Sequence, residues 1–370
     1  MPAWSSPSLP PDPDWYLDNV LLPGGIPASG QLGAAAQWQA RWHTRAARLL
    51  HARDSEAWDS EARDSNALDS VGRLACQQGF AVTLRQARDA GVDQSTGRTL
   101  LRRGDWSRHR YGTLTPLPPT TDPAEAASLA ATASALARRD TVVSHRSAAV
   151  LHGLPVIRLP SSPILTTRRP TATGHRPALT LRHATLMPAE VASWFGTALT
   201  SVPRTVADLA REDRRSGLMA ADAALHEGLT SLTDLWTAAH GCAGRPGSQG
   251  ARWVAGFADA LAESPLESLV RACLHDAALP PPELQVRIAD PSDGWACRVD
   301  MLWPDQRLVL EADGRLKYRS GGDELWREKR RQKRLERLGY RVVRVLWDDI
   351  ARSPAQTASR VRAALAHPPT

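Results

Sequence analysis

Lysine is nearly absent from this chain of 370 residues. Only three of its 46 basic residues are lysines, and all three (Lys317, Lys329 and Lys333) fall in one short stretch. In a composition that favours arginine, a lysine that persists marks a place that wants a compact, titratable point charge. Cysteine is scarce as well. The four cysteines, Cys76, Cys242, Cys273 and Cys297, show no CxxC spacing. That excludes a zinc-ribbon pattern and a disulfide framework, so isolated, reduced and mostly buried thiols are expected. Aromatic residues make up 5% of the chain, and 13 of them are tryptophan. No apolar run approaches the ~18 residues of a membrane span. The opening Met1-Pro-Ala-Trp-Ser-Ser-Pro lacks the charged and apolar regions of a secretory signal. The expectation is a cytoplasmic protein with no membrane partner.

What is present is positive charge in one place. The net charge is +7, yet residues 315–344 alone carry 12 Lys/Arg against 4 Asp/Glu. Beside the acidic cluster just upstream, such a run reads as a phosphate-contacting surface rather than a merely solvated face. The length suggests roughly two to three domains at ~100–200 residues each. Residues 1–70 begin rich in Pro, Ser and Gly and continue into a five-residue repeat: Ala52-Arg-Asp54-Ser55, Ala57-Trp-Asp59-Ser60, Ala62-Arg-Asp64-Ser65, Ala67-Leu-Asp69-Ser70. A period of five matches neither helix nor strand. This region is expected to be low-complexity and disordered.

Residues 71–120 read as a winged helix-turn-helix. A short helix spans 71–78. Thr83-Leu-Arg-Gln86 is a capping box opening a second, and a third runs from Asp93 to Arg103. The alternating Trp106–Leu114 segment forms the wing. Arg98 and Arg102 on the third helix, with Arg108 and Arg110 on the wing, are the expected DNA contacts. Residues 121–245 form a mixed α/β middle region. Its helices are expected at 124–139, 144–151, 204–211 and 218–226, its strands at 155–158, 164–167, 179–183 and 199–202. Residues 241–250 read as a linker. Residues 251–368 form an α/β domain: a helix at 264–278, strands at 284–288, 296–303 and 308–313, a basic helix at 323–338, a strand at 341–347 and a last helix at 354–366.

The candidate chemistry lies in that last domain. Side chains alternate along a strand, so Glu311 and Asp313 share a face. Pro304-Asp-Gln-Arg307 forms a hairpin loop pairing Trp303 with Leu308, which places Asp300 opposite Glu311. Two facing carboxylates repel, and a divalent cation between them removes the conflict. Oxygen-only ligands suit Mg²⁺, with Mn²⁺ as a substitute. Asp300, Glu311 and Asp313 are therefore the candidate metal ligands and catalytic acids. Glu267 is either the N3 member of a Ser264-Pro-Leu-Glu267 capping box or a further catalytic carboxylate. Lys317 or Lys329 would stabilise the attacking water or the charge on phosphate. Arg330, Lys333, Arg334 and Arg337 recur at i, i+3, i+4 and i+7 and would hold nucleic acid.

Asp300, Glu311-x-Asp313-Gly, Lys317 and the tail Arg337-Leu-Gly-Tyr-Arg-Val-Val-Arg-Val-Leu-Trp347 resemble the PD-(D/E)XK nuclease fold, in its Vsr-like branch. That resemblance implies a restriction-endonuclease-like α/β domain hydrolysing DNA with Mg²⁺. The motif lysine would fall at 313, where this chain has Asp, so either Lys317 or Lys329 substitutes or activity is reduced. The front half is similar to AbiEi-type antitoxins of type IV toxin–antitoxin systems. The residues that carry this are Arg102-Arg-Gly-Asp-Trp-Ser-Arg-His-Arg-Tyr-Gly, Ser144-His-Arg-Ser-Ala-Ala-Val-Leu-His-Gly153 and Ser201-Val-Pro-Arg-Thr-Val-Ala-Asp208. This second resemblance implies DNA binding, autoregulation and a cognate toxin as partner. Two function classes follow: a Mg²⁺-dependent endonuclease, or a non-enzymatic regulator that keeps a nuclease-like scaffold.

Overall fold

The computed structural model describes residues 33–50, 65–109, 112–138, 140–170, 174–176, 178–313 and 322–367. They divide into two compact α/β units, Met1–Leu209 and Ala210–Thr370. Two repeat copies and most of a third, within residues 52–64, lie outside the described residues, as do Arg110 and Lys317.

The first described element of this unit is a helix within the region expected to be disordered. Helix α1 spans Ala34–Leu50 and buries Ala35, Trp42 and Ala46. Trp38 and Leu49 pack alongside them, so the apolar positions recur every three or four residues, the period of a helix face. Trp42 is 1% exposed, and its ring lies 5.0 Å from that of Phe80 and 5.1 Å from that of Trp194. Helix α2, Ser65–Cys76, starts on the last residue of the third repeat copy, runs through the fourth and buries Ala67 against Val71 and Ala75. Strand β1 (Val82–Thr83), helices α3 (Leu84–Asp89) and α4 (Gln94–Arg103), and strands β2 (Ser107–Arg108) and β3 (Thr113–Thr115) follow. The strands form an antiparallel sheet in the order β1-β3-β2. The Thr83/Gln86 capping box forms as expected. Asp93 caps α4 by accepting from the Ser95 and Thr96 amides.

A six-stranded sheet completes this unit. Helix α5 (Pro123–Leu136) precedes β4 (Thr141–Val143), α6 (His145–His152), β5 (Ile164–Thr167), β6 (Gly174–Arg176), β7 (Leu179–His183), β8 (Val191–Trp194), β9 (Thr197–Thr200) and α7 (Val202–Glu212). Strand order is β6-β7-β5-β4-β9-β8. Segment 155–158 is not a strand, while β4, β6 and β8 escaped the sequence reading: each is three or four residues long. The two middle motifs have structural roles here. Ser147 accepts from the Ile164 amide, and the Thr166 hydroxyl donates to Ser144. Arg204, 1% exposed, donates through Nε to Asp208 at 3.1 Å and through a terminal nitrogen to Glu190 at 2.8 Å.

In the second unit, helices α8 (Arg214–His226), α9 (Leu232–Gly241), α10 (Ser248–Phe257) and α11 (Pro265–Asp276) lead into a four-stranded sheet. The expected linker at 241–250 is in part the start of α10. Its tight point is Gly247, at φ 77°, where a Cβ would come within 2.1 Å of the Arg211 carbonyl oxygen. Strands β10 (Glu283–Ala289), β11 (Ala296–Trp303) and β12 (Leu308–Asp313) are antiparallel neighbours. Helix α12 (Gly322–Arg337) then provides the crossover that lets β13 (Arg341–Leu346) pair parallel to β12. Helices α13 (Trp347–Arg352) and α14 (Pro354–Ala366) close the chain. One sheet face packs Met301, Trp303, Leu308 and Leu310 against Leu269, Val270 and Val361. The other packs Val299, Leu302 and Val309 against Leu335 of α12.

None of the four cysteines is in a disulfide, and burial pushes the Cys76 thiol up to about 12, leaving it inert. Among the described residues no helix is long and apolar enough to cross a membrane.

Candidate acidic and nucleic-acid-binding site

The hairpin register is the expected one, with Trp303 opposite Leu308 and Met301 opposite Leu310. The ladder stops there, one pair short of Asp300 and Glu311. Residues two apart share a face in a regular strand. Yet Leu284 and Val286 fall in different clusters, and so do Val299 and Met301. Both strands change face at one level, where Gln285 adopts φ 54° and lies across from Asp300. The Asp300 carboxylate accepts from the Ala312 amide at 2.8 Å, next to Glu311 along β12.

Each carboxylate on β12 has an arginine. Glu311 is 4% exposed and accepts from Arg331 of α12 at 2.7 Å. Asp313 is 8% exposed and lies 3.5 Å from the Arg344 guanidinium, its register partner being Leu346. Arg331 also donates to the Arg298 carbonyl. Among the described residues no three His, Cys, Asp or Glu side chains are grouped so as to hold a metal ion. Arg331 thus supplies the positive charge beside Glu311, where the sequence reading expected a cation.

Glu267 holds the N3 position of the expected cap, although its carboxylate does not close the box on Ser264. Ser264 accepts from the Glu267 amide, as a cap should. The Glu267 carboxylate reaches past the cap to accept from the Glu263 amide and from Gln285, the residue at the face change. Burial, and the nearby Asp300 charge, raise its pKa above the ordinary glutamate range. A carboxyl that titrates higher when folded favours the fold while protonated. That contribution is full below the ordinary range and is lost as pH rises through the raised value. Glu267→Gln should therefore gain stability relative to the parent at about pH 8 and show little difference at about pH 4. Denaturant unfolding at the two pH values measures this. Equal differences at both would contradict the assignment.

Helix α12 has two sides. Arg331, Arg334 and Leu335 turn inward, and Arg334 is engaged by Asp290 at 2.7 Å and by Asp293 while its guanidinium covers the Trp295 ring at 5.1 Å. Arg334 thus lines the same groove as Arg330, Lys333 and Arg337 but is ion-paired. Lys329 lies on the outer side, exposed, and among the described residues the cations beside Glu311 and Asp313 are Arg331 and Arg344. Arg330, Lys333 and Arg337 are exposed along a groove of about 940 Å³. In the first unit Arg98, Arg102 and Arg108 are exposed, with Gln94 and Ser95 on the same helix as the first two. Sequence reasoning missed Arg331, Arg344, Gln285 and Asp290. Arg344 alone had a visible signal: it faces Glu311 in a parallel register.

No family model matches the chain. Two curated relatives from Mycobacterium tuberculosis, strains CDC 1551 and H37Rv, are each 36% identical over 167 residues, 45% of this chain. Both are described as uncharacterized proteins. The alignment covers 61% of each, so the chain spans about three fifths of the length of the curated relatives it matches.

Proposed function

We propose that the chain is a DNA-binding protein of the regulatory class, in which the C-terminal sheet is a nuclease-like scaffold for a basic helix rather than a working hydrolase. The observation that carries this reading is the division of α12. Its inward arginines are consumed by Glu311, Asp290 and Asp293, while Lys329, Arg330, Lys333 and Arg337 remain exposed. Ion pairing on one side holds the helix in place, and the other side is left for phosphate. The order of elements from α2 to β3, helix, strand, two helices and two strands, supports a winged helix-turn-helix reading of that region. There Gln94, Ser95, Arg98 and Arg102 would meet base edges and Arg108 the backbone.

A second reading, a Mg²⁺- or Mn²⁺-dependent endonuclease, has one observation in its favour: buried Glu267 feels the charge of Asp300, with Glu311 and Asp313 buried on the neighbouring strand. It requires Arg331 and Arg344 to give up their carboxylates. A toxin partner remains part of the regulator proposal through the AbiEi resemblance. A gel-shift of the full chain against its gene's upstream DNA tests recognition. Arg98→Ala with Arg102→Ala should weaken specific binding about tenfold or more, at ~1–3 kcal/mol for each base-edge interaction, and leave general affinity largely intact. Parent-like binding by the double variant would remove the winged-helix part of the proposal.

A further inference from the structure

We infer that the outer face of α12 takes unpaired nucleotides, with Trp326 as the platform on which a base stacks; this deepens the DNA-binding reading and rests on it. Trp326 is 64% exposed, the most exposed of the large apolar side chains among the described residues. Lys329 holds its ammonium 5.6 Å from the indole centroid. On a helix, positions i, i+3, i+4, i+7 and i+11 form one stripe. Trp326, Lys329, Arg330, Lys333 and Arg337 occupy those positions. None of the four cations in the stripe forms an ion pair among the described residues, whereas Arg331 and Arg334, turned the other way, are both paired.

A helix that only neutralised phosphate would need no indole. An exposed indole in water is unfavourable unless something covers it. A protein partner is the weaker fit, because the core of a protein interface is depleted of charge, and here four cations share the stripe with the ring. Stacked base pairs hide their faces inside the duplex, while an unpaired base offers one to an aromatic ring beside a basic track. Lys329 over one face of the ring leaves the other for a base. The cations at 330, 333 and 337 then follow the backbone toward the groove beside Trp295.

The test is fluorescence anisotropy with the full chain and a labelled oligodeoxynucleotide, offered as a single strand and as its duplex. Trp326→Ala should weaken single-strand binding about tenfold, the factor that ~1.4 kcal/mol of stacking gives. Duplex affinity and the salt slope should stay as in the parent. Trp326→Phe should recover most of the loss. Equal weakening on both forms, or none on the single strand, overturns the inference while duplex binding keeps the broader reading standing. If the parent binds neither form, both fall.

Discussion

Replacing Lys329, Arg330, Lys333 and Arg337 together by glutamine should abolish most general affinity for nucleic acid while leaving the fold intact. All four side chains are exposed, and surface changes away from packed features usually move stability little. Their expected effect lies in salt dependence. Each phosphate that is no longer neutralised on duplex DNA reduces the log–log salt slope by ~0.9, so four should flatten it by roughly 3.6. Arg334→Gln is the control from the same helix. Its guanidinium is bound to Asp290 and Asp293 and stacked on Trp295, so its removal should lower stability and leave the salt slope nearly unchanged. Titrations at several salt concentrations, with melting curves beside them, separate the two. A slope that survives the fourfold change would move the binding surface elsewhere.

Arg204→Ala should destabilise the first unit by ~3–5 kcal/mol, enough to unfold many domains of this size. Arg204 and Asp208 are 1% and 0% exposed and lie one turn apart on α7, with Glu190 completing the arginine's partners. Removing the guanidinium takes the buried Asp208 carboxylate's cationic partner away. Asp208→Asn retains a hydrogen-bond acceptor for Nε and should lose less. Urea unfolding compares the three chains. A loss below about 1 kcal/mol for Arg204→Ala would mean that water or rearrangement replaces the pair.

The sequence made the second unit legible because its elements are long and its signals local. Glu311 and Asp313 could be put on one strand face, and Trp303 opposite Leu308, from a hairpin loop and a period of two. What the pattern could not carry was the twist at Gln285 and Asp300. That depends on a left-handed backbone residue inside a strand, which nothing in a non-glycine sequence signals. Nor could it show that Arg331 reaches Glu311. One basic residue in a run looks like another until Leu335 fixes which side of the helix is buried. In the first unit the error ran the other way. The Pro-rich start and the five-residue repeat drew attention from Ala35, Trp38, Trp42, Ala46 and Leu49, whose spacing already described an apolar helix face. In the motifs at 144–153 and 201–208, which carried the resemblance to antitoxins, several residues form buried hydroxyl bonds and one buried ion pair, partners that lie far off in sequence or within a helix.

The central proposal is that this chain binds DNA without cutting it, arginines holding the acids that a cation would need. Incubation of the full chain with supercoiled plasmid in Mg²⁺ or Mn²⁺, at protein concentrations that shift the plasmid in a gel, tests it most directly. The plasmid should be recovered supercoiled after the protein is removed. Nicked or linear product from the parent, absent with Glu311→Gln under the same conditions, would contradict the claim and make the C-terminal sheet a working nuclease.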